Sequence, residues 1–178
     1  MTVRRLVHLL SLAALLSLTA CGLHLRGHDA ADRQFAFHAI YIQAGGETTF
    51  TRTLRRGLEG YKLDVQQQPG KQQLTLDVLS ESTDKQITAL NASGHVIEYL
   101  LHYHVILRAY DAQQNDWIAT TEIDLQRILP WDDTLVLAKL QEEQMLYDEM
   151  RADAAQQVLR RLAFARQSKP ADSGDAQP

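Results

Sequence analysis

The side chains able to do chemistry are few, and their spacing points away from catalysis. His102 and His104 stand two residues apart, with His95 and Glu98 upstream. Residues i and i+2 of a strand share a face, so these imidazoles are spaced to grip one metal ion. Zinc sites take three or four protein ligands, however, and a polar strand face carries histidines for no special reason. No bound metal is expected. Asp132 and Asp133 follow Trp131 and would suit acid–base work as a carboxylate pair. Adjacent acids ahead of a helix are far more often caps. No nucleophile elbow, phosphate loop, dinucleotide-binding glycine pattern or H-E-x-x-H occurs. The reading is of a chain without catalytic residues or cofactor, and so not an enzyme.

Cys21 carries chemistry of another kind. It is the only cysteine, so no intrachain disulfide can form. Met1 to Arg5 holds two arginines and no acid, Leu6 to Leu18 is almost wholly apolar, and Leu18-Thr19-Ala20 leads into the cysteine. A basic start, a short apolar run and a small-residue cleavage point describe a secretory signal. The run is too short to span a bilayer, which takes about 20 apolar residues. Leu18-Thr19-Ala20-Cys21 resembles the bacterial lipobox. That resemblance implies a diacylglycerol thioether on Cys21, cleavage before it, and an acyl chain such as palmitate on the freed amine. Stable anchoring needs more than one hydrophobic signal, which such a cysteine supplies. Gly22 stands where an aspartate would signal inner-membrane retention, so the expected location is the outer membrane, on its periplasmic side.

Positive charge is scattered. Arg52, Arg55 and Arg56 cluster near Phe50, Leu54 and Leu58, Lys85 precedes the Asn91 turn, and Lys139 begins a long apolar-periodic segment. On an outer-membrane protein the abundant anionic partner is lipopolysaccharide, whose phosphates suit Lys and Arg. For any one of these residues a solvated face is the blander reading. Without residues 1–20 the balance is 16 basic against 22 acidic, since Arg4 and Arg5 leave with the signal (18 less 2) and no acid does. The net charge of −6 with neutral histidines (16 less 22) does not suit a nucleic-acid binder.

Elements that would position these groups follow from periodicity. Residues 21–34 read as a lipidated tether and 167–178 as a disordered tail, leaving 35–166 as one domain. Phe35 to Gln43 alternates, with Phe35, Phe37, Ala39 and Tyr41 on one side. Phe50, Leu54 and Leu58 recur every four residues, predicting a short helix capped by Thr48 or Thr49 and closed by Gly60. Leu63 and Val65 extend into at most a brief strand. Leu74, Leu76 and Val78 alternate again. From Ile97 to Ala109 all seven odd positions are apolar, and Trp117 to Leu129 repeats the pattern with Ala119, Ile123 and Leu125. Asn91 to Gly94 and Asp111 to Asp116 read as turns. After Pro130, Asp132 to Thr134 open a segment in which Leu146, Met150, Ala154, Val158 and Leu162 fall on one helical face. The sum is an α+β domain: a four-stranded, largely antiparallel sheet with two helices packed on one face.

Cys21-Gly22-Leu23-His24-Leu25-Arg26-Gly27 is similar to the mature start of the LptE lipopolysaccharide-assembly lipoproteins. Gly94 followed by Glu98-Tyr99 fits the same family. So do Leu137-Ala138-Lys139, Glu149-Met150-Arg151, Ala154-Ala155-Gln156-Gln157 and Arg160-Arg161-Leu162. The resemblance runs from Cys21 to about Arg166. It implies a non-enzymatic protein within the lumen of the LptD outer-membrane β-barrel, supporting its assembly and helping lipopolysaccharide into the outer leaflet. It also implies lipopolysaccharide contact at Lys139. The family's second basic point falls in the turn ahead of Glu98-Tyr99, where this chain has Ala92, so Lys85 or Arg52 would have to substitute. A freestanding periplasmic lipopolysaccharide-binding lipoprotein is the rival reading.

Overall fold

The computed structural model describes residues 35–166. The expected signal (1–20), the tether with Cys21 (21–34) and the tail (167–178) lie outside the described residues. The elements are β1 (Ala39–Gln43), α1 (Thr49–Gly60), β2 (Asp64–Gln66), β3 (Leu74–Leu90), β4 (Val96–Asp111), β5 (Asp116–Pro130) and α2 (Val136–Phe164). No helix among the described residues is long and apolar enough to cross a membrane.

The expected four-stranded, largely antiparallel sheet is corrected to five strands of mixed direction, in the order β2-β1-β3-β4-β5. β1 pairs in parallel with β2 and with β3, while β3, β4 and β5 form an antiparallel meander. The brief strand expected from Leu63 and Val65 forms at Asp64–Gln66 and joins the sheet at its edge as the fifth strand. The parallel pairing follows from α1, which carries the chain back between β1 and β2 as a crossover helix must.

Two expected faces also change. β1 buries Ile40 and Ile42, not Ala39 and Tyr41, because the chain bends at Ala36 and His38 before the strand begins. Phe35 and Phe37 pack ahead of it, with ring centroids 5.5 Å apart and Phe35 5.2 Å from Tyr61. In β5 a register shift leaves Ala119 exposed, with Ile118 opposite Ala109 and Thr121 opposite Leu107. The extra residue returns Ile123 and Leu129 to the core side. β3 runs far past Val78, because β4 pairs with it as far as Leu90. That polar stretch has no apolar alternation of its own to reveal it.

The core follows the strongest pattern in the chain. Leu101, Tyr103, Val105, Leu107 and Ala109 are fully buried on one face of β4. Tyr103 meets both helices: its ring lies 6.5 Å from Phe50 of α1, and the Arg151 guanidinium of α2 lies 5.8 Å from its centroid. Both helices therefore cover the same face. α1 contributes Phe50, Leu54 and Leu58, all fully buried, each worth about 1.5–3 kcal/mol of transfer energy. Thr48 caps it by accepting from Thr51 N at 3.2 Å, while Thr51 Oγ1 accepts from Thr48 N at 2.8 Å. The helix ends at Gly60, but the left-handed residue that turns the chain is Lys62, at φ 61°. α2 buries Met150, Ala154, Val158 and Leu162 as its four-residue spacing requires. It begins at Val136 rather than at Asp132. Asp132 instead accepts from Thr134 N at 2.8 Å and Thr134 Oγ1 at 2.7 Å, folding the turn ahead of the helix. Those hydrogen bonds, with Lys139 nearby, hold its carboxyl below the usual range.

Gly57 sets how closely the helices approach. A Cβ there would stand 2.5 Å from Leu159 Cδ1, and Leu159 is itself buried. Gly57→Val is expected to lower unfolding free energy by about 1–3 kcal/mol through overpacking. Combined with Leu159→Ala it should cost less than the sum of the two single changes. Urea denaturation of the four proteins checks this, and strict additivity would show that the helices do not meet there.

The Asp111 side chain organises the β4–β5 hairpin. It accepts from the N–H groups of Gln113 and Asn115, both at 2.9 Å, and from the Asn115 side chain at 3.2 Å. Burial alone would raise its pKa, but these hydrogen bonds outweigh that and hold it below the ordinary value. A depressed folded pKa contributes stability above the unfolded value of about 3.9, lost as pH falls through the folded one. Asp111→Asn should therefore lower Tm at pH 7 and flatten its decline below about pH 4. Parallel Tm-against-pH curves for both proteins would refute this.

Candidate functional site

The antiparallel meander outruns its helical cover at one end. Ile87 pairs with Tyr99, Leu90 with Val96, and Leu100 with Ile128. Trp131 N donates to Ile97 O at 2.9 Å, holding the strand-to-helix link against the same end. Ile87, Leu90, Ile97 and Ile128 are all exposed there. The link and first turns of α2 add Leu135, Val136, Leu137 and Leu140, with Leu137 79% exposed. Most of the large apolar side chains exposed among the described residues belong to this tip. Ile87 shares the helix-facing side with Tyr99, whereas Ile128 shares the opposite side with Leu100, so the exposed apolar side chains wrap the end of the sheet.

Two of the basic residues singled out in the sequence sit at this end. Lys85 Nζ lies 2.5 Å from Glu143 Oε2, 4.1 Å from the Tyr99 ring centroid and 4.6 Å from that of Trp131. The rings meet edge to face at 5.2 Å. The ammonium is thus enclosed by one carboxylate and two aromatic faces. Lys139, one turn before Glu143, pairs with Glu142 at 2.8 Å and is only 16% exposed along its side chain. The arginines of α1 are not brought to this place. Arg52 is exposed and donates to Thr49 Oγ1 at 3.2 Å, Arg56 is exposed, and Arg55 is half-buried. The sequence view missed the tip's apolar members and the Tyr99–Trp131 cage. The Leu135-Val136-Leu137 run ahead of the periodic part of α2 was the one available signal.

The outer face of the sheet carries the histidines, separately engaged. His104 Nε2 lies 2.9 Å from Glu122 Oε1, and its Nδ1 lies 4.0 Å from Asp124 Oδ2. One ligand atom from each of these three residues falls within 4.8 Å of the others, so they form the metal-compatible group rather than His102 with His104. His95 lies 3.4 Å from Asp133, and Glu98 accepts from Thr88. Asp133 accepts from Trp131 Nε1 at 2.8 Å while Asp132 is occupied by Thr134. The two acids have separate structural partners and do not act as a pair.

A family model described as "LptE: Lipopolysaccharide-assembly" matches residues 37–162. Comparison with curated proteins gives no match. The solution structure of an uncharacterized lipoprotein B from Nitrosomonas europaea is 35% identical, with a TM-score of 0.64, covering 78% of this chain and 88% of that one. The rare lipoprotein B from Shewanella oneidensis is 24% identical, with a TM-score of 0.62, covering 71% and 94%. A minor lipoprotein from Acinetobacter baumannii is 19% identical at the same TM-score, covering 77% and 100%. The last two establish likeness of fold.

The Lys85 cage is testable on its own. Glu143→Ala leaves a half-buried ammonium without its counterion and should destabilise the protein by about 1 kcal/mol, the exposed fraction limiting the loss. Lys85→Met combined with Glu143→Leu should come close to neutral. Denaturation followed by tryptophan fluorescence measures both, and an unaltered midpoint for Glu143→Ala would disprove the ion pair's role.

Proposed function

The chain belongs to the LptE lipopolysaccharide-assembly family, and from that premise we propose an outer-membrane lipoprotein that seats inside the LptD β-barrel. It helps that barrel assemble and assists lipopolysaccharide insertion into the outer leaflet. The observation that carries this reading is the tip, where exposed Leu137 and Leu140 flank Lys139. Lipopolysaccharide offers acyl chains and phosphates together, and the tip offers an apolar surface beside a cation. Lys139 is the direct contact, because its i,i+3 partner Glu142 is a weak competitor that a phosphate displaces. Lys85 acts from beneath, holding Tyr99 and Trp131 in place.

The other proposed elements have support of their own. Barrel lumens are polar, and the sheet face bearing His104, Glu122, Asp124 and Arg108 is charged and open to a partner wall. Acyl anchoring through Cys21 accords with the lipoprotein name of the 35% identical relative. The tip is built within one chain, which would also serve a freestanding lipopolysaccharide-binding lipoprotein.

Affinity purification from detergent-solubilised outer membranes separates the two readings. The barrel-bound protein brings down one large β-barrel in stoichiometric amount, and recovery alone would favour the freestanding one. Leu137→Asp with Leu140→Asp should weaken lipopolysaccharide binding about tenfold or more, a loss of about 1.4 kcal/mol or greater, at unchanged Tm. Lys139→Ala should weaken it several-fold. Undiminished binding by both variants would rule out the tip.

A further inference from the structure

We propose that the outer face of the sheet binds a divalent metal ion of the zinc class through His104, Glu122 and Asp124. Pairing of β4 with β5 sets His104 directly opposite Asp124, and Ile106 opposite Glu122. Glu122 is therefore the diagonal neighbour of His104 on the same face, within reach of long side chains. His104 Nε2 lies 2.9 Å from Glu122 Oε1, while Nδ1 faces Asp124 Oδ2 at 4.0 Å. All three side chains rise from paired strands, so no loop has to fold to bring them together.

The charge of this group is unbalanced. Among the described residues, Glu122 and Asp124 pair with His104 and with no Lys or Arg. By contrast Asp153, Glu142 and Glu143 each have a Lys or Arg beside them. One imidazole cannot satisfy two carboxylates. In its neutral form it has a single N–H to donate and a bare lone pair on the other nitrogen, and a carboxylate only accepts. A second proton supplies the missing donor but leaves one negative charge over. A divalent ion takes the lone pair and balances both acids.

Geometry and ligand type favour the same answer. One ligand atom from each residue lies within 4.8 Å of the others, whereas ligands of a tetrahedral zinc stand about 3.4 Å apart. Rotation of Glu122 and Asp124 closes that gap, since their side chains are 56% and 47% exposed. An imidazole nitrogen with two carboxylate oxygens suits zinc and its neighbours, while calcium and magnesium take sets of oxygens. Three protein ligands leave the fourth position of a tetrahedral ion to water.

The test uses the full chain, purified in detergent without a histidine tag and stripped of metal by chelation. Zinc chloride is titrated in by calorimetry and thermal shift, with magnesium and calcium chlorides in parallel. Wild type should bind zinc and gain Tm, and should respond to neither of the other ions. His104→Gln should weaken the tightest zinc step at least tenfold. Glu122→Gln combined with Asp124→Asn should do the same. That pair keeps side-chain size, so its loss of binding at unchanged metal-free Tm reports the ligands rather than the fold. His102→Gln should bind as wild type does, because His102 is outside the group. Equal zinc binding by wild type and either ligand variant would overturn the site. So would a loss in His102→Gln as deep as in His104→Gln, or no zinc binding at all. None of these residues belongs to the tip, so failure here leaves the lipopolysaccharide reading intact.

Discussion

Burial of one face of β4 is the constraint from which the rest of the structure follows. Leu101, Tyr103, Val105, Leu107 and Ala109 occupy every second position and reach full burial. A stripe of that length, about 30 Å at 3.3 Å per residue, cannot be covered by one short helix. The 12 residues of α1 reach about 18 Å and the 29 of α2 about 43 Å. α1 is pressed against α2 at Gly57 and Leu159, so both share the apolar side. The opposite side is left to polar and half-buried groups such as His102, His104 and Arg108. One-sided cover is how an antiparallel meander satisfies its hydrophobic face while leaving the other for solvent or a partner.

Polar contacts then fix the angles at which the helices lie. Glu81, on the polar half of β3, accepts from Thr48 Oγ1 at 2.8 Å and sits 3.7 Å from Arg151 Nε. It thereby joins the cap of α1, the middle of α2 and the sheet. Tyr103 lies under this group, its hydroxyl pKa pushed well up by burial and by the adjacent Glu81 carboxylate. Farther along α2, Tyr147 donates to the Asp84 carbonyl at 2.9 Å, and Glu143 takes Lys85. These side chains stand four residues apart on one helical face, stitching α2 to β3. Without them the helix could slide along a uniform apolar stripe.

The exposed apolar surface arises where this cover stops. Beyond Leu101, the ends of β3, β4 and β5 continue with Ile87, Leu90, Ile97 and Ile128 exposed. The first turns of α2 expose Leu137 and Leu140 instead of burying them. Continued pairing from β3 to β5 keeps the tip ordered, and the Lys85 cage anchors Trp131 at its root. An apolar surface held on paired strands needs little ordering when a partner engages it.

The sequence by itself determined whatever depends on local periodicity and composition. The β4 stripe, the α2 face, the turns at Asn91 and Asp111 and the cap at Thr48 were legible, because each is encoded within a few neighbouring residues. The order of motifs was also enough to indicate the LptE family. The tertiary structure alone decided the parallel pairing of β1 with β2 and β3 and the polar length of β3, since each exists through hydrogen bonds to distant strands. It also decided the state of each cation. Lys85 meets Glu143 across 58 positions of sequence, whereas Arg55 meets no partner at Nη1. Spacing along a chain reports which side of an element a residue faces; whether its charge is matched depends on what the fold brings opposite it.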